Sequence, residues 1–230
     1  GVMFTINPVT GDSDEVVIEA SWGLGEAVVG GMVTPDRWVV DKERLVIKDR
    51  TVSKKSVMII RDDAGLTKTV EVPTDLVEKP SLSDEEVLAL ARIGIELEKR
   101  IGYPLDIEWT LDSDSGSIYV VQMRPETVHS TGKVKAITET GAATGRAVVK
   151  GIAASPGIAV GRVRICLTPE EARAKMGKGD ILVTRMTNPD WVPYMKIASA
   201  IITDEGGMTS HAAIVSRELG IPAIVGTGNA

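Results

Sequence analysis

Glutamine occurs once in these 230 residues, at Gln122, asparagine three times and cysteine once, at Cys166. A lone thiol excludes an internal disulfide and fits a reducing compartment, so a cytoplasmic location is expected. With one cysteine and two histidines far apart in the sequence, His129 and His211, neither a zinc site nor a Cys–His nucleophile is expected. The net charge of −6 gives nucleic acid no electrostatic foothold. No apolar run approaches the roughly 20 residues that span a bilayer, so no membrane partner is expected. Scarce amides are also one mark of thermophilic proteins.

What is present is ordinary for a soluble globular chain: 43% hydrophobic and 25% charged residues, enough for one large or two small domains. Residues 1–125 are strand-rich, with β-branched runs at Val2–Ile6, Val16–Ala20, Arg37–Val40, Leu45–Ile47 and Lys68–Val72. One helix is predicted after Ser83, which forms a capping-box pattern with Glu86. Its apolar stripe runs from Val87 through Leu90, Ala91, Ile93, Ile95 and Leu97 to Ile101, and Gly102 and Pro104 end it. Residues 126–150 carry Gly132, Gly141 and Gly145 without a sustained period and read as a linker or hinge. From Ile152 strands and helices alternate: strand 157–165, helix 168–175, strand 180–184, helix 188–198, then Ile201-Ile202 and a last helix. The chain starts at Gly1 inside a strand pattern and stops just after another, so it is expected to be a piece of a longer polypeptide, with its second domain truncated.

Two constellations carry chemistry. Leu105–Leu111 and Ser117–Met123 flank the acidic turn Asp112–Gly116 and read as a hairpin. Asp106 and Glu108 share one face, Gln122 and Arg124 share a face of the partner strand, and Ile107 and Trp109 point the other way. If the polar faces coincide, carboxylate and amide oxygens suit Mg²⁺ and the guanidinium suits a polyphosphate. The other reading is a solvated outer face. Gly23-Leu24-Gly25 is either a phosphate loop or a turn between strands.

The second constellation is the run Thr203–Gly226. An apolar strand, Ala200-Ile201-Ile202, is broken by Gly206-Gly207, and Thr209 or Ser210 can cap a helix that stops at Gly220 before Pro222. His211 then lies in the first helical turn, where free N–H groups and the positive end of the dipole favour an anion. Small Ala212 and Ala213 leave room for a second surface.

Gly206-Gly207-Met208-Thr209-Ser210-His211-Ala212-Ala213, continued by Arg217–Ala223, resembles the phosphohistidine motif of the phosphoenolpyruvate-utilising enzymes. That family comprises phosphoenolpyruvate synthases, pyruvate phosphate dikinases and enzyme I of the sugar phosphotransferase system. Asp106–Trp109, Tyr119–Pro125 and Glu19–Gly31 resemble the end of the ATP-binding domain of the synthases and dikinases, which enzyme I lacks. The resemblance covers nearly the whole chain and fits the synthases best. It implies an α+β and α/β fold: the C-terminal part of an ATP-grasp domain over 1–125, a hinge over 126–150, and a swivelling α/β phosphohistidine domain over 151–230.

By position, the resemblance makes His211 the phosphoryl carrier, places Glu108 and Gln122 at the nucleotide's Mg²⁺, and sets Arg124 on phosphate as a catalytic group. Asp106 and Glu19 become further nucleotide-site residues, and Thr209 a site of regulatory phosphorylation. Arg185 could meet incoming phosphate. The implied reaction converts ATP, pyruvate and water into phosphoenolpyruvate, AMP and phosphate, in a full-length protein expected to be a homo-oligomer. Alternatives are a pyruvate phosphate dikinase, a rifampicin phosphotransferase-like dikinase or a stand-alone phosphocarrier. The family's N-terminal ATP-grasp portion and its pyruvate-binding barrel have no counterpart here, so this chain alone is not expected to complete the reaction.

Overall fold

The computed structural model describes residues 1–126 and 147–230. These fall in two compact units, within residues 1–131 and 132–230. Apart from its ends, the linker expected at 126–150 lies outside the described residues, as does His129.

In the first unit the chain runs β1 (Val2–Phe4), β2 (Glu15–Ala20), α1 (Glu26–Val29), β3 (Asp36–Asp41), β4 (Val46–Thr51), β5 (Val57–Arg61), β6 (Thr67–Glu71), α2 (Asp84–Ile101), β7 (Leu105–Leu111) and β8 (Ile118–Pro125). Six of these strands form an antiparallel sheet in the order β4-β3-β2-β1-β7-β8. β5 and β6 pair separately as a hairpin, and β5 went unpredicted.

α2 forms where its local signals place it. Ser83 Oγ accepts from the Glu86 N–H while the Glu86 carboxylate accepts from the Ser83 N–H at 2.7 Å, a reciprocal cap whose loss would cost about 1 kcal/mol. Gly102 closes the helix at φ +92°. Val87, Leu90 and Ala91 pack against Met3, Ile18, Trp38, Leu105 and Ile107 of the sheet. Gly94, mid-helix, is fixed by close approach: a Cβ there would lie 2.8 Å from Met3 Sδ, which explains a residue that costs a helix about 1 kcal/mol relative to alanine.

The second unit runs β9 (Ile152–Ser155), β10 (Val163–Ile165), α3 (Pro169–Lys175), β11 (Ile181–Thr184), α4 (Val192–Met195), β12 (Ala200–Thr203), α5 (His211–Leu219) and β13 (Ala223–Val225). Its sheet order is β10-β11-β12-β13-β9, parallel except for β9. Each parallel connection carries a helix, as crossovers require. Two predicted elements are shorter than expected. The strand expected at 157–165 forms only over Val163–Ile165, because Gly157 and Gly161 offer no side chain to pack in a ladder. The helix expected at 188–198 divides into a 3-10 turn, Pro189–Trp191, and the single turn α4, since Pro189 and Pro193 each remove an amide donor.

Together these are mixed α/β units, the first antiparallel and the second alternating. Among the described residues no helix is long and apolar enough to cross a membrane.

Candidate functional site

In the second unit β12 ends at Thr203, and the chain turns through Gly206 at φ +108°, where a Cβ would lie 2.8 Å from Ser210 Cβ and Oγ. Only glycine accepts both the dihedral and the contact. Ser210, not Thr209, is the cap: its backbone is extended, its Oγ accepts from the Ala213 N–H and donates to the Gly207 carbonyl at 2.8 Å. Thr209 is 3% exposed, and its Oγ1 has no hydrogen-bond partner among the described residues. Gly220 ends α5 in the left-handed region.

His211 is the first residue of α5 and is half-buried. Its Nδ1 lies 2.9 Å from Thr187 Oγ1. Burial lowers the imidazole pKa from its ordinary value, and the Glu218 carboxylate offsets part of that shift. The ring is thus biased toward neutrality. With Nδ1–H donated to the hydroxyl, Nε2 keeps its lone pair and can act as a nucleophile. Sequence reasoning singled out Arg185, two residues before Thr187. The signal was available, since Thr187 follows the C-terminal end of a strand parallel to β12, where α/β sheets gather their sites. Arg185 itself is 72% exposed and paired with Glu205 at 2.8 Å.

In the first unit the hairpin register joins the predicted polar faces. Asp106 stands opposite Arg124 and Glu108 opposite Gln122. Arg124 and Asp106 form an ion pair at 2.8 Å, the carboxylate largely buried and the guanidinium half exposed. A bulge after Glu108 sets Trp109 opposite Val120. The same row continues through Val2 to Glu19, and from Glu19 to Arg37 on β3. Directly opposed residues share a face, so Arg37, Glu19, Glu108 and Gln122 lie on one side of the sheet, with Val17, Phe4, Asp106 and Arg124 in the next row. Arg37 was missed because nothing local links it to Glu19.

The central strands of this side are buried, while Gln122 and Arg124 on the edge strand β8 are exposed. Val2, Phe4, Val17 and Val39 on it are at most 4% exposed, Glu19 is fully buried and Asp106 is 8% exposed. Glu19 is separated from Glu108 by a whole strand, roughly 9–10 Å at the usual spacing. Among the described residues no group of three or more His, Cys, Asp or Glu could hold a metal by itself. Glu108 and Gln122 therefore offer two hard oxygens, a number that suits Mg²⁺ shared with a phosphate-bearing ligand. Trp38 and Trp191 are buried packing groups, and Trp22 donates its Nε1–H to the Leu76 carbonyl at 3.0 Å. Cys166 is buried, and burial raises its thiol pKa.

Residues 1–144 match the family model "Pyruvate phosphate dikinase, AMP/ATP-binding domain", and residues 176–230 match "PEP-utilising enzyme, mobile domain". The phosphoenolpyruvate synthase of Aeropyrum pernix is 50% identical over the whole chain, which covers 32% of that protein. That of Pyrococcus furiosus is 51% identical, again over the whole chain and 29% of its own length. The probable phosphoenolpyruvate synthase of Methanothermobacter thermautotrophicus is 52% identical, with 32% of its length covered. The chain thus spans about a third of the curated relatives it matches. With one family model covering more than half of its residues and half-identical relatives across all of them, this chain belongs to the pyruvate phosphate dikinase family of phosphoenolpyruvate-utilising enzymes.

Proposed function

We propose that this chain supplies part of an ATP-grasp nucleotide site and a swivelling phosphohistidine domain to a phosphoenolpyruvate synthase. The observation that carries the reading is His211 at the first position of α5, biased toward neutrality by burial and engaged at Nδ1 by Thr187. A neutral ring with Nε2 left as nucleophile, at the positive end of a helix, is suited to accept a phosphoryl group and hold it as an anion. Thr187 serves as the positioning residue, its hydroxyl accepting from Nδ1–H in the tautomer that leaves Nε2 as nucleophile.

In the first unit ATP is the substrate. Glu108 and Gln122 are the residues that would hold Mg²⁺, whose chemistry would be to neutralise charge developing on the phosphates. Arg124, half exposed and oriented by Asp106, is placed to meet phosphate oxygens as a charged donor. Glu19 belongs to the same face, one strand removed from Glu108, and acts there as a further nucleotide-site group. Transfer of the β,γ-diphosphoryl group of ATP to His211 releases AMP, and water takes off the terminal phosphoryl group as phosphate. The phosphoryl group left on His211 passes to the enolate of pyruvate in a part of the enzyme outside this chain, giving phosphoenolpyruvate. Thr209 is a regulated hydroxyl whose burial requires the Gly206–Ser210 turn to open first.

The deciding experiment is phosphorylation of the full-length polypeptide by ATP labelled at its β-phosphate, with Mg²⁺. Acid-labile, base-stable label that vanishes in His211→Ala is expected. Label that persists in that variant, or its absence from the wild type, would reject the carrier role.

A further inference from the structure

We propose that Arg217 is a positioning residue for His211, acting through the backbone of Met208; this rests on His211 being the phosphoryl carrier. An arginine in the last turn of a helix ordinarily reaches outward, toward solvent or the terminal carbonyls. Arg217 instead folds back and is 7% exposed. Its Nη2 donates to the Met208 carbonyl at 2.6 Å and its Nη1 to the Ala154 carbonyl at 3.1 Å. Met208 is fully buried and sits three residues before His211, in the turn between Gly206 and the cap Ser210. Ala154 belongs to β9, which pairs with β13.

The planar fork of one guanidinium thus ties the histidine turn to a different strand of the sheet. Ser210 Oγ holds the Gly207 carbonyl and Arg217 holds the next one, so two successive peptide units before the helix are fixed by side chains. Burying a cation is costly unless its donors are satisfied, and a lysine ammonium cannot reproduce two divergent N–H bonds from one plane. Through these two carbonyls, Arg217 orients the turn that presents the ring. Presentation of a nucleophile is sensitive to small displacements, so loosening this turn slows transfer without touching nucleotide affinity.

The test uses the full-length polypeptide with Arg217→Lys and Arg217→Met, each read by thermal unfolding, by the rate of His211 phosphorylation, by KM for ATP, and by ¹⁵N NMR of the His211 ring. For folded Arg217→Lys the expected result is a rate about tenfold or more below wild type, KM for ATP unchanged, and ring resonances that have lost the fixed tautomer. A wild-type rate and ring spectrum in that variant would overturn the proposal, as would a raised KM with an unaltered ring spectrum. If Arg217→Met does not fold, Arg217→Lys decides. If the wild type itself accepts no phosphoryl group, the carrier reading fails separately, and the ring spectrum alone decides whether Arg217 positions His211.

Discussion

Thr187 Oγ1 stands 2.9 Å from His211 Nδ1, joining the segment just past β11 to the first residue of α5. The two residues are 24 apart in the chain, yet they meet because β11 and β12 are neighbours in a parallel sheet with Thr184 opposite Thr203. Both following segments therefore leave the sheet at the same end. The hydroxyl fixes the orientation of the ring, since it can accept from Nδ1–H or donate to a bare Nδ1.

Replacing that hydroxyl isolates its contribution. Thr187→Val is expected to slow phosphorylation of His211 by roughly 10²-fold, the scale of a lost proton-positioning contact, while Thr187→Ser retains most of the rate. Single-turnover labelling with ATP checks it, and equal rates in Thr187→Val and wild type would contradict the tautomer assignment.

The pH dependence follows from burial of His211. Its folded pKa is lowered below the ordinary value of 6.5, chiefly by desolvation, with Glu218 acting the other way. The unfolded chain therefore binds the proton more readily. Stability from this group is complete above pH 6.5 and falls as pH drops through the window between the unfolded and the lower folded pKa. The acid limb of the phosphorylation rate should likewise lie below pH 6.5, and Glu218→Gln should move it further to acid. A limb at or above 6.5 in a pH–rate profile would show that burial does not control the ring.

Gly206→Ala tests the turn that presents His211. The added methyl meets Ser210 Cβ and Oγ at 2.8 Å at a dihedral that L-residues rarely adopt, so a loss of about 1–3 kcal/mol is expected. Urea unfolding measures it, and a parallel fall in His211 phosphorylation should accompany it, since relief of the clash displaces the cap.

Locally encoded features were legible in the sequence: the Ser83–Glu86 box, the α2 stripe, the hairpin alternation that brought Asp106 to Arg124 and Glu108 to Gln122, and the Gly206–Gly220 frame around His211. Each depends on spacing within one or two elements. Thr187, Arg217 and Lys55 were not legible in their roles, because their partners lie 24, 63 and 19 residues away and meet only through sheet order or a buried loop. Burial of the Glu19–Glu108 face was hidden for a similar reason, since alternation alone cannot say which face of a sheet meets water.

Glu108 and Gln122 are expected to set Mg²⁺ dependence. Glu108→Gln in the full-length polypeptide should raise the Mg²⁺ concentration that half-saturates His211 labelling by about 10–100-fold, with the Asp106–Arg124 pair intact and the fold unchanged by circular dichroism. Unaltered Mg²⁺ dependence would remove Glu108 from the metal.

The most severe loss of stability should come from a pair outside both sites. Lys55 and Asp36 are fully buried and 2.6 Å apart, and Asp36 also accepts from the Ser53 N–H, the Ser81 N–H and Ser81 Oγ. One carboxylate thereby fastens β3, the segment before β5 and the approach to α2. Lys55→Met leaves that carboxylate buried without its counter-charge, which should cost about 3–5 kcal/mol. Adding Asp36→Asn removes the stranded charge while its amide oxygen still accepts a hydrogen bond. The double variant should therefore be more stable than Lys55→Met alone, with a coupling of roughly 0.5–3 kcal/mol in a double-mutant cycle. Strictly additive losses in chemical denaturation would mean that the two charges do not stabilise each other in the folded protein.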